Sequence, residues 1–262
     1  MKTNRLFLLI VFLAALLLSG CGPVVQGSGK VISEERPVSG FDQVALLGIG
    51  DVIITQGAEE GLRIEAEDNL LEYITSEVHN GKLEIGFKPE MAFSFRPTQP
   101  IKFHVAMKTV TAVSLSGSGN ISAENLLADE LSLTLSGSGN IRIDRLEAKT
   151  LRSTLSGSGD LQVGELAVET VDTTLSGSGK CSLAGQTMAQ AMRISGSGNY
   201  HAFDLQSQTA DLTITGSGNV EAWVTEKIDV TVTGSGDIRY YGAPDISERI
   251  TGSGHVAGLG AH

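Results

Sequence analysis

The stretch Leu135-Ser136-Gly137-Ser138-Gly139-Asn140-Ile141 contains the repeated unit that decides the fold of this chain. Its core, Ser/Thr-Gly-Ser-Gly, occurs eight times, with the first glycine at Gly117, Gly137, Gly157, Gly177, Gly196, Gly216, Gly234 and Gly252. The spacing between these positions is nearly constant along the chain and shortens slightly towards its C-terminus. A period of about 20 residues with one fixed turn predicts a solenoid in which each repeat forms one coil.

The columns that flank the turn predict how each coil is built. The residue two positions before the first glycine is apolar in every copy: Leu115, Leu135, Leu155, Leu175, Ile194, Ile214, Val232 and Ile250. After the corner come a column rich in Asn and Asp, which tolerate left-handed backbone, and then a largely apolar one. This alternation indicates half-buried strands, with a looser return near residues 124–130. The glycines allow a tight reversal, and equal columns are expected about 4.8 Å apart in parallel sheets.

Residues 41–258 are predicted to form one all-β domain in two parts. Residues 111–258 hold about eight coils with Gly-Ser-Gly corners, and residues 41–110 form an irregular N-terminal β cap. Within this cap, Leu47-Gly48-Ile49-Gly50-Asp51-Val52 matches the corner, with isoleucine in place of serine. Asn80-Gly81 predicts a type I′ hairpin, and residues 89–100 are interpreted as a loop.

Residues 1–21 are predicted to be a lipoprotein signal peptide. Lys2 and Arg5 precede an apolar run, and Leu18-Ser19-Gly20-Cys21 resembles the bacterial lipoprotein processing box. In that motif the cysteine is lipidated and anchors the mature chain to the membrane. Gly22, in place of Asp, favours sorting to the outer membrane. An ordinary secretory signal with an incidental cysteine is the alternative, and residues 22–40 are interpreted as a flexible tether.

Charge and cysteine usage exclude several classes of function. The formal net charge is −11, and removing Lys2 and Arg5 lowers it to −13. Such an acidic chain is a poor partner for nucleic acid. Cys181 is the only cysteine besides Cys21 and occupies the apolar column, which predicts a buried, unreactive thiol.

Several motifs suggest chemistry that the repeat explains more simply. Gly177-Ser178-Gly179-Lys180 resembles part of a phosphate-binding loop, but Thr174 and Cys181 stand where that motif requires Gly and Ser/Thr. Only Asp160 and Asp237 place acids in the eight equivalent corner positions, too few for a calcium ladder. The five histidines lack the spacing of metal ligands. We therefore expect no catalytic residues, metal or cofactor.

One column combines small, acidic and aromatic residues and is the candidate binding patch. Seven positions after the first glycine stand Glu124, Asp144, Gly164, Ala184, Phe203, Trp223, Tyr241 and Leu259. If equal columns stack, Phe203, Trp223 and Tyr241 lie on one exterior flank at strand spacing. Three interpretations remain open: rings that stabilise the rod, a protein contact, or a platform for a glycan.

The complete pattern resembles a known family. The Ser-Gly-Ser-Gly-Asn/Asp-Ile corners, Phe41-Asp42-Gln43-Val44 and Asn80-Gly81-Lys82-Leu83 are together similar to the head GIN domain of auto-transporter adhesins, over residues 41–258. The resemblance implies a right-handed, two-sheet parallel β-helix of Gram-negative bacteria. It also implies a relationship in shape to pectin lyases without their catalytic residues, and a role in cell adhesion. It offers no family site residues to carry over.

The sequence therefore favours a lipid-anchored outer-membrane protein of a Gram-negative bacterium, with a non-catalytic binding or adhesion rod. The alternatives are a polysaccharide-active enzyme on the same scaffold and a periplasmic structural scaffold. The ligand, protein or glycan, and the side of the membrane that the rod faces stay open. No capping helix follows the last corner, so self-association through the C-terminal coil is also expected.

Overall fold

The computed structural model of the chain describes residues 24–89 and 95–262, which form β strands and a short 3-10 helix at Leu71–Tyr73. The N-terminal strands are β1 (Val25–Gln26), β2 (Val31–Arg36), β3 (Gln43–Gly48), β4 (Asp51–Gln56), β5 (Gly61–Glu67), β6 (Ile74–His79), β7 (Lys82–Phe87), β8 (Phe95–Arg96) and β9 (Lys102–Met107). The coil array comprises β10 (Ala112–Gly117), β11 (Asn120–Leu135), β12 (Asn140–Leu155), β13 (Asp160–Leu175), β14 (Lys180–Ile194), β15 (Asn199–Gly216), β16 (Asn219–Gly234), β17 (Ile238–Tyr241), β18 (Asp245–Gly252) and β19 (Val256–Gly258). The all-β solenoid predicted from the repeat is confirmed, with about seven turns.

Each long strand from β11 to β16 makes most of one coil and pairs in parallel with the next. In β11, side chains point inward at Ile121 and Ala123, then at Leu126, and then at Leu131, Leu133 and Leu135. Two consecutive exposed residues, at 124–125 and again at 129–130, mark the bends between these straight segments. The segment near 124–130 was expected to be a looser return, and this is wrong. Its residues 125–128 pair with 145–148 of β12, so the buried Leu126 and Leu146 stack in the core.

The corner glycines are needed for close stacking more than for left-handed backbone. A Cβ on Gly137 would overlap the carbonyl oxygen of Gly117, and one on Gly139 would overlap that of Gly119. Ser138 N donates to the same Gly117 oxygen at 2.9 Å, so the corners are joined by backbone hydrogen bonds. Positive φ holds at only some corners, such as Gly117 (149°), and not at Gly137. The reversal itself therefore does not require glycine at every corner, whereas the coil-to-coil contact does.

The Asn and Asp column forms a ladder of side-chain hydrogen bonds instead of adopting left-handed backbone. Asn140 Nδ2 donates to Asn120 Oδ1 at 2.9 Å, and Asn120 Nδ2 donates to Asp51 Oδ1 at 2.8 Å. Farther along, Asn219 Nδ2 donates to Asn199 Oδ1 at 3.0 Å. Among the described residues, positive φ outside glycine occurs only at Asn80. Tolerance of left-handed backbone therefore does not explain this column, because its members open strands such as β11 and β12.

The apolar columns form one continuous core along the rod. Cys181 lies in this core with no exposed surface, which confirms the predicted burial, and desolvation raises the pKa of its thiol. Tyr200 occupies the next coil at the same position and is also fully buried. No helix within residues 24–89 and 95–262 has the length and apolar character needed to cross a membrane.

The N-terminal strands extend the stack, as the degenerate corner predicts. β3 pairs with β10 in parallel, and this register sets Gly48 against Gly117. β4 pairs with β11 on one edge and with β9 on the other. The hairpin at Asn80-Gly81 is confirmed: β6 and β7 are antiparallel, with φ of 52° and 79° at the turn.

Part of the predicted tether is wrong, because residues 25–36 belong to the folded body. β1 pairs with β8, and β2 pairs antiparallel with β5. The buried Glu67 carboxylate fastens this segment by accepting hydrogen bonds from Gly29 N at 2.6 Å and Thr98 N at 2.8 Å. The predicted signal peptide and the lipidation of Cys21 lie outside the described residues, as do residues 90–94 of the predicted loop.

Candidate functional site

The regular stacking of the rod is interrupted in the coils β13 to β16. The pairing register shifts between Val163 and Leu166, between Ser182 and Gly185, and twice in β15, after Ala202 and after Ser207. The spacing of the corners also becomes shorter in this half of the chain, first between Gly177 and Gly196 and again after Gly216. Coils of unequal length cannot keep every column aligned, so the extra residues bulge outward. The rod therefore has a locally uneven wall in its C-terminal half.

This uneven wall brings together the three predicted aromatic residues, although not as one ladder. Trp223 pairs with Tyr241 of β17, as the column predicts. On its other edge Trp223 pairs with Gln206, because Phe203 falls within the β15 bulge. The Phe203 ring nevertheless reaches the Tyr241 ring, with centroids 4.8 Å apart and planes at 57°. The prediction that Phe203 stacks on Trp223 in a regular column is therefore wrong. The rings instead gather around Tyr241.

A fourth ring, His262, completes what we call the aromatic cluster: Phe203, Trp223, Tyr241 and His262. The His262 imidazole stacks on Trp223 at 4.1 Å with an interplanar angle of 10°. It also meets the edge of Tyr241 at 4.8 Å and 83°. Phe203, Trp223 and Tyr241 are each partly buried, so each residue keeps some surface in contact with solvent. The sequence pattern missed His262, which lies outside the repeat columns.

A row of charged side chains lies beside the aromatic cluster. Glu221 Oε2 lies 2.5 Å from His201 Nδ1, and Glu221 Oε1 accepts a hydrogen bond from Arg239 Nη2. The Glu221 side chain is only 15% exposed, whereas that of Arg239 is 55% exposed. The Arg239 guanidinium also lies 5.9 Å from the centroid of the Phe203 ring, within the range of a cation–π interaction. The row of charged side chains therefore contacts the aromatic cluster through Arg239 and Phe203.

Next to this row the wall contains a recess of about 360 Å³. Its lining includes Gln162, Gly164, Ser182, Ala184, His201, Phe203, Asp204 and Glu221. The space exists because the column that carries Glu124 and Asp144 in earlier coils holds Gly164 and Ala184 here. A glycine and an alanine thus replace the two acidic residues of the earlier coils. The bulged Phe203 and Asp204 form the opposite side of the recess.

A buried polar network supports the bulged strand from inside the core. Tyr200 Oη donates to Gln190 Oε1 at 2.9 Å, and Gln190 Nε2 donates to Ser207 Oγ at 2.7 Å. Ser207 Oγ then donates to the Trp223 carbonyl at 2.9 Å. Burial raises the pKa of Tyr200 well above its usual range, so the hydroxyl stays protonated and donates. Sequence reasoning missed this network, although a tyrosine in an otherwise aliphatic column was a signal.

The rest of the described surface is less suited to metal binding or to an enclosed polar site. Over residues 24–89 and 95–262, no group of three or more His, Cys, Asp or Glu side chains is arranged to hold a metal ion. Charged pairs there include exposed neighbours on adjacent coils, such as Arg145 with Glu165, and exposed neighbours on one strand, such as Lys227 with Asp229. Such pairs contribute little to stability and create no enclosed site.

Comparisons with known proteins agree with this architecture. The family model described as "Putative auto-transporter adhesin, head GIN domain" matches residues 40–165 and 144–244. A solved structure called a "putative lipid binding protein", from Parabacteroides distasonis, is 27% identical over 90% of this chain and 99% of its own, with a TM-score of 0.85. A "putative adhesin" from the same species is 25% identical over 90% of this chain and 99% of its own, also with a TM-score of 0.85.

A further "putative adhesin", from Parabacteroides merdae, is 24% identical over 91% of this chain and 100% of its own, with a TM-score of 0.85. At that identity the likeness establishes the shared fold. Among curated proteins, none matches this sequence significantly.

Proposed function

This chain belongs to the family described as "Putative auto-transporter adhesin, head GIN domain", and on that premise we propose that it is a non-catalytic adhesin of the cell envelope. The observation that supports a binding role is the aromatic cluster. Phe203, Trp223 and Tyr241 converge on one wall and stay partly exposed, although the core of the rod buries other large apolar side chains completely. Rings that served only to stabilise the rod would gain more by full burial.

We further propose that Cys21 carries the lipid that anchors the protein to the outer membrane. The processing motif at residues 18–21 and the following Gly22 support this assignment. Because β1 begins at Val25, four residue steps separate Cys21 from folded structure. Those steps span at most about 14 Å, so the anchor would hold the N-terminal end of the rod near the membrane.

The position of the aromatic cluster suits such an anchor. Seven corner-to-corner steps separate the coil of Gly48 from that of Gly234, which precedes Tyr241. At about 4.8 Å per step, the cluster lies roughly 30 Å along the rod from the N-terminal coil. An adhesin anchored at its N-terminus would therefore present this surface away from the membrane.

The binding role is tested with two single variants. Trp223→Ala removes the largest ring of the cluster, whereas Met188→Ala removes a side chain that is 57% exposed on another part of the rod. Attachment of fluorescent beads carrying the purified rod to host cells should fall with Trp223→Ala and persist with Met188→Ala. Equal attachment by both variants would contradict the binding role. Melting temperatures close to that of the parent confirm that neither variant has unfolded.

The anchor is tested by Cys21→Ser, expressed in a Gram-negative host. We expect the precursor to stay unprocessed or the protein to leave the membrane fraction. A mature variant that remains in the outer membrane would refute the lipid anchor.

The polysaccharide-enzyme alternative has one observation in its favour, since Asp204 and Glu221 line the same recess. However, Glu221 already contacts His201 and Arg239, whereas glycoside-cleaving enzymes use two carboxyl groups that both face the scissile bond. Incubating the protein with neutral and acidic polysaccharides and measuring new reducing ends decides the matter. Release of reducing ends that Asp204→Asn abolishes would replace the adhesin proposal.

A further inference from the structure

We propose that the recess beside the aromatic cluster binds a neutral sugar, one pyranose unit of a glycan. This inference rests on the proposed adhesin function and gives that function a ligand class. The recess has a volume of about 360 Å³, at the small end of the range for ligand sites. Its position between the bulged β15 and the small side chains of β13 and β14 sets it apart from the regular wall.

The Phe203 ring supplies a surface for the apolar face of a sugar. An aromatic ring has a negative face, which attracts the weakly positive C–H groups of a pyranose ring. Phe203 lines the recess and is held by Tyr241 at 4.8 Å and by Arg239 at 5.9 Å. These contacts fix the ring before a ligand arrives, so binding costs little side-chain entropy.

The polar groups around this ring match the hydroxyls of a sugar, which both donate and accept. Gln162 accepts from Arg142 through Oε1, and its amide N–H groups have no acceptor among the described residues and can donate. Ser182 and Asp204 have no side-chain partner within the part of the chain that the structure describes, and His201 uses only Nδ1. The recess thus offers a free amide, a hydroxyl, an imidazole nitrogen and a carboxylate in one place.

Charge favours a neutral sugar over an acidic one. Among the described residues no Lys or Arg side chain lines the recess, and Arg239 beside it is already paired with Glu221. Asp204 remains as an uncompensated negative charge, and the whole chain carries a formal charge of −11. A uronate or sialate would therefore meet repulsion and find no free cation to bind its carboxylate.

Backbone pairing disfavours a peptide at the same place. A peptide that adds to a sheet needs a strand with one unpaired edge. Each of β13, β14 and β15 is instead paired with neighbours on both sides. A ligand at this wall must be recognised by side chains, as glycans are.

The proposal is tested by saturation-transfer NMR on the folded rod. The probes are the methyl glycosides of galactose, mannose, glucose, fucose and N-acetylglucosamine, with methyl galacturonate as the acidic comparison. We expect transfer to the ring protons of at least one neutral glycoside and none to the galacturonate. Absence of transfer to every neutral glycoside, or stronger transfer to the galacturonate, would overturn the proposal.

Three variants locate the binding. Phe203→Ala should weaken the affinity about tenfold, as expected for the loss of one aromatic contact. Ala184→Leu should abolish binding by filling the recess, and Met188→Ala should leave it unchanged. If both recess variants bind like the parent, the sugar is bound elsewhere and the proposal fails.

A periodate experiment separates this inference from the adhesin proposal. Periodate oxidises the vicinal diols of sugars on host cells and leaves most protein surface intact. If attachment depends on Trp223 but survives periodate, and no sugar shows transfer, the adhesin function stands and the sugar site is refuted. If sugars bind in the recess but the rod attaches to no cell, the sugar site stands and the adhesin function is refuted.

Discussion

At the scale of single residues, the most demanding positions are the corner glycines. Both glycines of a corner face the backbone of the preceding coil, where a methyl group has no room. The carbonyl oxygen that would be struck is also the acceptor of a corner hydrogen bond. A side chain there would both clash and interrupt the chain of stacked corners.

Gly137→Val should therefore lower the free energy of unfolding by about 1–3 kcal/mol or more, the usual cost of overpacking. The matched control is Gly57→Val, because a Cβ at Gly57 meets no atom within 4 Å. Ser138→Ala, at the exposed tip of the same corner, should be nearly neutral. Chemical denaturation measures all three, and equal losses at Gly137 and Gly57 would contradict the stacking explanation.

A second residue with a large role is Glu67, whose fully buried carboxylate joins three chain segments. Burial alone would raise its pKa, but hydrogen bonds from Thr98, Gly29 and Gln99 outweigh that effect, and its pKa is lowered. A carboxylate whose pKa falls on folding stabilises the fold above the unfolded value, about 4.3. That stability is lost as the pH decreases through the lower, folded value.

Glu67→Gln should destabilise the protein at pH 7, because an amide cannot accept all of these hydrogen bonds. The difference from the parent should begin to shrink as the pH falls below about 4.3, where the unfolded parent takes up a proton at Glu67. It should vanish only below the lower pKa of the folded state. Denaturation curves between pH 7 and pH 3 measure this difference. Glu59→Gln, at an exposed carboxylate, serves as the control. A difference that does not vary with pH would show that Glu67 acts only through packing.

At the scale of elements, β15 departs most from the repeat and is also the strand that shapes the candidate site. The register shift after Ala202 moves Phe203 and Asp204 out of the ladder, and a second shift follows Ser207. A bulge in a parallel array loses backbone pairing. The buried chain from Tyr200 through Gln190 to Ser207 joins the bulged strand to its neighbours through side chains instead. The network ends on the Trp223 carbonyl, so it also positions the aromatic cluster.

Tyr200→Phe should cost about 1–3 kcal/mol, because it leaves the side-chain oxygen of Gln190 buried without its donor. Trp223 is the only tryptophan, so a change in its emission or quenching would report that the network positions the cluster. Tyr240→Phe, at a partly buried residue of β17, is the control and should be silent in both measurements. A destabilised Tyr200→Phe protein with unchanged tryptophan fluorescence would limit the network to a structural role.

At the scale of the whole molecule, the two ends of the stack differ. The N-terminal end is covered by β2, β5 and β9, whereas β18 pairs with β16 on one edge and with no described strand on the other. The β18 residues in line with the core are Ile246, Glu248 and Ile250, and both isoleucines are about 40% exposed. An open edge with apolar side chains favours association with a second copy, and the central Glu248 opposes it.

We therefore expect weak self-association that strengthens when Glu248 is replaced by Val. Ser247→Val is the matched control, because Ser247 pairs with Asp229, which lies on the outer side of β16. Sedimentation over a wide range of concentration should detect dimers first in Glu248→Val. Strict monomers in the parent and in both variants would refute association through β18.

The sequence by itself determined the solenoid, its period, its parallel register and most of its core. These follow from local rules, since a corner that recurs at an almost constant period can bury its apolar columns only by stacking coil upon coil. The hairpin at Asn80-Gly81 and the ninth corner at Gly48 were likewise predictable from their residues alone.

Only the tertiary structure decided the features that arise where coils differ from one another. The displacement of Phe203 from the Trp223 column follows from mismatched coil lengths. His262 stacks on Trp223 from outside the repeat, and the recess needs both the small Gly164 and Ala184 and the bulged Phe203. The folding of residues 25–36 onto the body depends on Glu67, which is distant in sequence from its partners. A repeat specifies what its copies share, whereas a site built on their differences depends on how unequal coils pack.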